Sequence, residues 1–454
     1  MNKQKNVSKH PPGLYLLFFT EMWERFSYYG MRGILVLYLT KELIEGGLGM
    51  SSTVALSIYG FYTGACYLAP LVGGWLSDMY LGKRLAITLG GISMALGNFI
   101  MFLGDAQWSM YTGLALLIIG NGFFKPNIST LVGELYEEND PKRDAAFTIF
   151  YMGINLGAFI APLIIALVTD KIMGGMQGDV FVYGYKYGFL ISSIGMVIGQ
   201  VLFNTLGNKY LGDLGKKPSR NEVVGDVEAK NRPLTSIEKQ RTVAILILAS
   251  IVIFFWAGFE QAGSSLTLYT DKFVDRTIFG FEIPTPWFQS VNPLFIILLA
   301  PLVSMLWVKL ARSKRGDLPS PVKMAIGMIL LGVGYMVLLV AVLGTGSNEA
   351  EVVNKAHIIF IVLTYMFHTI GELFLSPVGL STVSRIAPVK LASLLMGVWL
   401  ASSGIANILA GQLASVTQKL GYFEVFAAIG GMAILLGLIL LAFSKKITKM
   451  MHID

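Results

Sequence analysis

Apolar runs of about 20 residues, bounded by charged or turn-forming residues, recur along the whole chain. A run of this length crosses the ~30 Å hydrocarbon core of a bilayer as an α-helix. The runs lack the ten-residue alternation of a membrane β-barrel, so they favour an all-α membrane protein. The pattern predicts twelve transmembrane helices, which begin near Leu14, Val54, Leu85, Met110, Ala146, Tyr187, Thr242, Trp287, Met324, His357, Leu391 and Phe423.

One long polar stretch, residues 207–240, interrupts this pattern and leaves six predicted helices on each side. It predicts an N-terminal six-helix bundle over 1–206, a cytoplasmic linker over 207–240 and a C-terminal six-helix bundle over 241–454. A helical bundle divided in this way suggests two halves that rock about a central site.

Composition and charge agree with a membrane protein. Of 454 residues, 54% are hydrophobic and 14% are charged, against roughly 25% charged in a soluble domain. Most Lys and Arg residues fall in loops on the side of the two termini, which predicts cytoplasmic termini. The net charge of +7 therefore needs no nucleic acid partner, and the expected location is the plasma membrane, the inner membrane of a bacterium.

Span 1 carries the most informative residues, because ionisable groups are costly in hydrocarbon and normally face a cavity or a partner. Glu21, Glu24, Arg25, Tyr28 and Arg32 fall within an arc of about 100° on a helical projection. This single polar face predicts that span 1 lines the interior. A structural cluster of ion pairs that fixes the helix is the alternative.

Polar residues also recur at helical spacing in five other spans. The residues are Asn121 and Lys125 in span 4, Tyr151 and Asn155 in span 5, Trp256, Glu260 and Ser264 in span 7, Thr364, His368, Glu372 and Ser376 in span 10, and Trp399, Ser403 and Asn407 in span 11. Spans 1, 4, 7 and 10 carry all the charges that lie midway through a span, which predicts that these four line the cavity. For Asn155, Ser403 and Asn407 the alternative is a hydrogen bond between neighbouring helices.

Lys125 and Glu372 occupy equivalent spans of the two halves. A cation facing an anion across a cavity would close it when paired and admit a zwitterion when parted; the alternative is a separate partner for each within its own half. His368, four residues before Glu372, is interpreted either as a proton relay or as a structural histidine.

Enzyme chemistry has no support in the sequence. The chain lacks the G-x-x-x-x-G-K-[ST] loop that binds nucleotide phosphates, and its four His residues are not spaced for a metal. All its Asp residues are predicted to lie in loops or in the linker. We therefore predict no catalytic residues, no metal site and no cofactor. An ion gradient remains as the energy source, with protons as the coupling ion.

The loop after span 2 resembles the motif between spans 2 and 3 of major facilitator transporters. It runs from Gly74 to Arg84 and places Asp78 before the basic pair Lys83 and Arg84. These charges could latch the inner ends of helices; a plain solvated loop is the alternative.

Longer motifs resemble the proton-dependent oligopeptide transporters. Residues 21–30, EMWERFSYYG, resemble the family signature E-x-x-E-R-F-x-Y-Y-G, and residues 150–157, FYMGINLG, resemble its F-Y-x-x-I-N-x-G motif. Three further blocks agree with the family: 122–127, 255–261 and 371–377.

The resemblance implies specific roles. Arg25, Lys125 and Arg32 would hold the peptide carboxylate or couple to protons, and Glu372 would receive the peptide amino group. Asn155 and Asn292 would hydrogen-bond the peptide backbone. Glu21, Glu24 and Glu260 would couple protons, with Glu260 trading Arg32 as partner. The side-chain pockets would be lined by Tyr28, Tyr29, Tyr67, Trp256, Trp399 and Ser403.

One departure from the family pattern is the absence of the two extra helices that bacterial members commonly insert between the halves. The resemblance then implies a twelve-helix symporter that imports di- and tripeptides and related molecules with protons, working as a monomer in the lipid bilayer. A symporter of the same fold for another small solute such as nitrate, or a peptide receptor that does not transport, is the alternative.

Overall fold

The computed structural model describes residues 10–104, 106–137, 140, 142–218, 233–313, 316–347 and 354–452. Twelve long α-helices make up most of this part of the chain, as the apolar runs predict. They are α1 (Pro12–Thr40), α2 (Ser52–Leu76), α3 (Lys83–Leu103), α4 (Gln107–Glu134), α5 (Arg143–Ala166), α6 (Tyr185–Leu211), α7 (Ser236–Phe259), α8 (Val291–Ala311), α9 (Ser320–Thr345), α10 (Ile359–Ile386), α11 (Ala392–Leu420) and α12 (Tyr422–Met451).

Eleven segments in the described ranges are long and apolar enough to cross a membrane, and α1 is the predicted span that is not among them. Helix α1 is 29 residues long, which exceeds the roughly 20 residues that a span needs. It carries the four predicted charges Glu21, Glu24, Arg25 and Arg32, which lower its apolar character.

Helix α7 begins six residues before the predicted start at Thr242, because a capping box stabilises its first turn. The Thr235 hydroxyl accepts a 3.2 Å hydrogen bond from the backbone of Glu238, and the Glu238 side chain accepts a 2.8 Å hydrogen bond from the backbone of Thr235. Such reciprocal bonds satisfy amide groups that a helix leaves free at its start. The apolar pattern alone carries no trace of these polar first turns.

Short elements join the long helices. Strands β1 (Gly175–Gln177) and β2 (Val180–Val182) form an antiparallel hairpin, β4 (Thr277–Ile278) and β5 (Phe281–Glu282) form a second one, and β3 (Val274–Asp275) pairs in parallel with β6 (Ala356–His357). The remaining short turns are 3₁₀ segments at Leu43–Glu45, Glu260–Gly263, Thr285–Ser290 and Val389–Leu391, a nine-residue helix at Ser265–Phe273, and π-type turns at Ser77–Leu81 and Leu167–Ile172.

The chain divides into two compact units. The first contains Met1–Arg32, Ala69–Gly174 and Gly184–Val223, and the second contains Gly33–Leu68, Gly175–Tyr183 and Val224–Asp454. The predicted bundle limits at 206 and 241 stay a prediction, since residues 219–232 between them lie outside the described residues.

In the first unit, glycines bring α3 and α4 into backbone contact. A Cβ atom added at Gly90 would lie 2.7 Å from the carbonyl oxygen of Gly120, and one at Gly97 would lie 2.7 Å from that of Gly113. Close approach at small residues is typical of helix pairs in membranes.

The loop motif of the first unit ties helix ends together, as the latch interpretation expects. Lys83 Nζ lies 2.9 Å from a carboxylate oxygen of Glu134 at the end of α4 and 3.8 Å from one of Asp78. Arg84 donates hydrogen bonds of 2.9 Å and 3.1 Å to the carbonyl of Gly212 and the side chain of Asn208, at the end of α6.

The second unit has a core of interlocking aromatic rings. Tyr269 stacks on Phe273 with ring centroids 5.1 Å apart, and Phe426 lies edge-on to Tyr269 at 5.8 Å. Tyr335 donates a 2.7 Å hydrogen bond to the carbonyl of Gly258. The core therefore fixes the position of α7 at the point where its regular helix ends.

Candidate functional site

The predicted polar face of α1 is buried in the first unit. Glu21, Glu24, Arg25, Tyr28 and Arg32 are each at most 9% exposed. Charged side chains at this burial need partners within the protein, because desolvation of an isolated ion is costly. The face therefore consists of groups that must interact with one another or with a ligand.

Two carboxylates share one guanidinium nitrogen at the centre of this face. Arg25 Nε donates a 2.7 Å hydrogen bond to Glu21 Oε1 and lies 2.8 Å from Glu24 Oε2. Glu21 Oε2 and both oxygens of Glu24 are buried and have no hydrogen-bond partner in the described part of the chain. The cluster thus combines two acids with one base, and its carboxylate oxygens can accept further hydrogen bonds.

Aromatic rings continue the face along α1. The Arg25 guanidinium carbon lies 5.8 Å from the ring centroid of Tyr28, and that of Arg32 lies 5.8 Å from the centroid of Tyr29. The two tyrosine rings meet edge to face at 5.2 Å. Cation–π contacts of this kind hold the guanidinium groups in fixed positions.

Helices α4 and α5 add the other predicted polar residues of the first unit. Lys125 on α4 interacts electrostatically with Glu24, so this base belongs to the same charged cluster. Asn121, one turn earlier, is buried, and its Oδ1 has no hydrogen-bond partner among the described residues. On α5, Asn155 donates a 2.9 Å hydrogen bond to the carbonyl of Tyr151.

The second unit holds a separate group around Glu372. Asn292 Nδ2 donates a 2.9 Å hydrogen bond to Glu372 Oε2 and a 3.0 Å hydrogen bond to Thr369 Oγ1. Both amide hydrogens of Asn292 are used in these bonds. The Asn292 amide therefore fixes the Glu372 carboxylate, and only its Oδ1 stays available to a ligand.

Glu260 lies where α7 stops being a regular helix. The segment Glu260–Gly263 is a 3₁₀ turn, and Ser264 then has the irregular backbone angles φ −129° and ψ −103°. Glu260 is buried, and its charge acts on Glu372. Interrupted helices frequently mark ion and substrate sites in transporters.

Gln261 was missed as a functional candidate by the sequence reasoning. Its Nε2 donates 3.0 Å hydrogen bonds to the carbonyls of Ala257 and Ala410, and its Oε1 accepts a 2.5 Å hydrogen bond from Ser265. It thereby ties the break in α7 to α11 and positions Glu260 beside it. A glutamine inside an apolar run was the signal available in the sequence.

The interpretation of every Asp residue as loop or linker is wrong for Asp144, which lies in α5, and for Asp271. Asp271 lies in the helix Ser265–Phe273, and its carboxylate, 9% exposed, lies 3.2 Å from Lys41 Nζ and accepts a 2.8 Å hydrogen bond from Thr285. Arg276 lies 3.7 Å away. The apolar run ends before Asp271, and a sequence pattern does not show that distant bases neutralise the acid.

The remaining predicted residues of the second unit lie on α2, α7, α10 and α11. Trp256 contacts Phe259 edge to face at 5.2 Å, and Tyr67 is half-buried. Trp399 packs on Gly379, where any added Cβ would collide with its ring. Asn407 donates a 2.9 Å hydrogen bond to the carbonyl of Ser403.

His368 packs against aromatic rings of the second unit. Its ring centroid is 4.8 Å from that of Tyr335 and 6.4 Å from that of Phe259, and its Nε2 is buried without a hydrogen-bond partner in the described ranges.

The predicted pairs Lys125 with Glu372 and Arg32 with Glu260 stay predictions. No group of three His, Cys, Asp or Glu side chains within the described residues could hold a metal ion.

Comparison with known proteins gives consistent matches along the chain. The family model PTR2, described as the POT family, matches residues 84–227 and 220–430. The peptide transporter YePEPT of Yersinia enterocolitica is 33% identical, with 88% of this chain and 87% of that protein covered. The di-/tripeptide transporter of Lactococcus lactis subsp. cremoris is 31% identical, with 99% of each covered.

A solved structure is also similar. The crystal structure of a POT family transporter in complex with a thioalcohol-conjugated peptide is 32% identical, with 98% of each chain covered and a TM-score of 0.87. The predicted fold class, an all-helical membrane protein of the major facilitator type, is thereby confirmed. The chain is a multi-pass membrane protein.

Proposed function

The chain belongs to the POT family, a family of transporters and not of enzymes, and from this premise we propose that it imports di- and tripeptides together with protons by alternating access. We place it in the plasma membrane, the inner membrane of a bacterium, with both termini in the cytoplasm, and take the monomer as the working unit. The named activities of its relatives support the peptide as cargo.

The observation that carries this proposal is the buried cluster of Glu21, Glu24 and Arg25. Two acids contact one nitrogen of Arg25, and three of their four carboxylate oxygens accept no hydrogen bond from the described residues. A proton added to one acid leaves Arg25 paired with the other. The cluster can therefore gain or lose one charge without leaving the base unpaired.

Peptide binding and proton binding are linked by charge balance. A peptide carboxylate that approaches Arg25, Lys125 or Arg32 brings a further negative charge next to Glu21 and Glu24. Like charges at short range in a poorly hydrated site repel strongly. A proton on one of these acids offsets the added charge, so the peptide and the proton bind best together.

Glu372 supplies the complementary site for the peptide amino group. Its carboxylate is fixed by the Asn292 amide at 2.9 Å, and a charge-assisted hydrogen bond to an ammonium group is among the stronger polar contacts. Asn155 and the Oδ1 of Asn292 would contact the peptide backbone. Tyr28, Tyr29, Tyr67, Trp256, Trp399 and Ser403 would line the side-chain pockets.

Glu260 is proposed to couple the second unit to the proton. It lies at the interrupted end of α7, where Gln261 restrains the backbone. Protonation of Glu260 would therefore change the charge at the least regular part of this helix. An exchange of partner with Arg32 would link that change to transport. Each proton that crosses the field contributes about 2.3 kcal/mol per 100 mV.

Uptake of labelled dialanine into proteoliposomes tests the proposal. Accumulation should require an inward proton gradient and should be inhibited by unlabelled dipeptides but not by free amino acids. Equal accumulation with the gradient collapsed would refute the coupling. Nitrate uptake without inhibition by dipeptides would point to another solute, and binding without net flux would point to a receptor.

Two substitutions separate the proposed roles. Glu260→Gln should abolish gradient-driven uptake while peptide exchange between the two sides continues, and Glu372→Ala should weaken peptide binding itself. Glu137→Gln, at an exposed position, is the matched control and should behave like the unmodified protein. Identical behaviour of the Glu260 and Glu372 variants would contradict the division of roles.

A further inference from the structure

The turn between β4 and β5 has an unusual residue at its tip. Ile278 pairs with Phe281, so the two strands are joined by only two residues, Phe279 and Gly280. Both have positive φ, at 51° and 80°, which is the left-handed geometry of a type I′ turn. Asn, Asp and Gly favour this geometry, whereas a bulky side chain there is an outlier.

The Phe279 side chain does not pack against the protein interior. It is 106% exposed, and its neighbours Ile278 and Phe281 are 40% and 44% exposed. A Cβ added at Gly280 would have no atom within 4 Å. A strained backbone that presents an apolar ring to the outside has no structural benefit for the fold itself, which directs attention to a function.

The position of the turn relative to the membrane follows from Trp287. The ring of Phe281 lies 5.8 Å from that of Trp287, and Trp287 is the third residue of the membrane-spanning segment Thr285–Ala311. Tryptophan is enriched at the ends of spans, at the level of the lipid headgroups. The hairpin therefore lies at the interface on the side of the membrane opposite the two termini.

The adjoining helix α8 has many exposed apolar side chains. Only 6% of the apolar stretch in Thr285–Ala311 is buried, whereas Leu298, Leu302 and Met305 on α8 are more than half exposed. The exposed tip of the hairpin thus continues an exposed apolar surface. This continuity favours lipid as the partner of the tip.

Hydrogen bonds hold the base of the hairpin in place. Arg276 donates a 2.7 Å hydrogen bond to the carbonyl of Ile283 and a 2.8 Å one to Glu282, and it lies 3.7 Å from Asp271. The base is therefore polar and is held at the helix Ser265–Phe273 through Asp271, while the tip is apolar.

We propose that the β4–β5 hairpin is a membrane anchor, with Phe279 inserted at the boundary between headgroups and acyl chains of the leaflet opposite the termini. The partner is the phospholipid bilayer. Through the contacts of Arg276 with Asp271, its insertion holds the helix Ser265–Phe273 at the membrane surface. The inference rests on the exposed tip and the interfacial Trp287, and not on the cargo or the coupling ion.

Spin labels on single cysteines test the anchor in the full chain reconstituted into phosphatidylcholine and phosphatidylglycerol vesicles. Cys66, the only cysteine, is buried and is replaced by Ser. Phe279→Cys carries one label. Asp179→Cys, in the polar turn between β1 and β2 on the same side of the membrane, carries the matched control label.

Collision with oxygen, which partitions into lipid, is compared with collision with a water-soluble nickel chelate. The label at 279 should show an oxygen-to-nickel ratio several-fold higher than the label at 179. Equal ratios would overturn the proposal. Dipolar broadening that disappears when the protein is diluted in lipid would assign the tip to a second copy, and immobilisation only on addition of dialanine would assign it to the cargo; either result also overturns the anchor.

Discussion

Asn292→Leu tests whether the Asn292 amide prepares Glu372 for the peptide amino group. Leucine is similar in size to asparagine but cannot donate, so the substitution removes the 2.9 Å hydrogen bond to Glu372 and the 3.0 Å one to Thr369. A hydrogen bond to a charged group contributes about 1.5–3 kcal/mol. Since about 1.4 kcal/mol corresponds to tenfold in affinity, the loss of dialanine affinity should be at most about ten- to hundredfold, because the hydrogen bond is also present before the peptide binds.

Calorimetric titration of the purified protein with dialanine measures this loss. Thr369→Val is the matched control, because it keeps the bond between Asn292 and Glu372, and its affinity should stay within a few-fold of the original. In a Glu372→Ala background, Asn292→Leu should cost less than it does alone, because only the proposed contact of Asn292 Oδ1 with the peptide backbone is then left to lose. Unchanged affinity, or fully additive losses, would refute the positioning role.

Two further predictions concern groups that stabilise the second unit. Gln261→Leu removes three buried hydrogen bonds at about 1 kcal/mol each, so denaturant unfolding in micelles should show a loss of about 2–3 kcal/mol, while Gln412→Leu at an exposed position should show none. Burial opposes the charged form of Lys41, but the Asp271 carboxylate outweighs it, so the pKa of Lys41 is raised above its usual 10.5. The stability that this ion pair contributes should be fully present below pH 10.5, the usual pKa of lysine, and should be lost as the pH rises through the raised pKa of Lys41. Lys41→Met should therefore lower the melting temperature at neutral pH and have no effect on it at strongly alkaline pH. An equal deficit at both would contradict the ion pair.

The spans and the charged face of α1 were predictable from the sequence, because the spans depend on the length of apolar runs and the charged face depends on helical periodicity. Apolar length fixes where a chain crosses a bilayer, and acidic and basic residues on one side of a helix must face the protein interior. Glu21, Glu24 and Arg25 were found in this way, and they form one contact cluster.

Tertiary partners were not predictable, because they join residues far apart in the sequence. Asp271 resembles a loop residue until Lys41 and Arg276 are seen beside it. At the break of α7, Gln261 donates a hydrogen bond to the carbonyl of Ala410, and the glutamine inside the apolar run does not show which distant residue it contacts. The division of roles between Asn292 and Glu372 likewise needs the distance between their side-chain atoms.

The most direct test of proton-coupled peptide transport is the pH inside proteoliposomes that contain the protein and a trapped pH-sensitive dye. With no imposed proton gradient, dialanine added outside should make the lumen more acidic, because protons enter with the peptide, and Glu260→Gln should abolish the change. Entry of labelled dialanine at an unchanged internal pH would contradict the account.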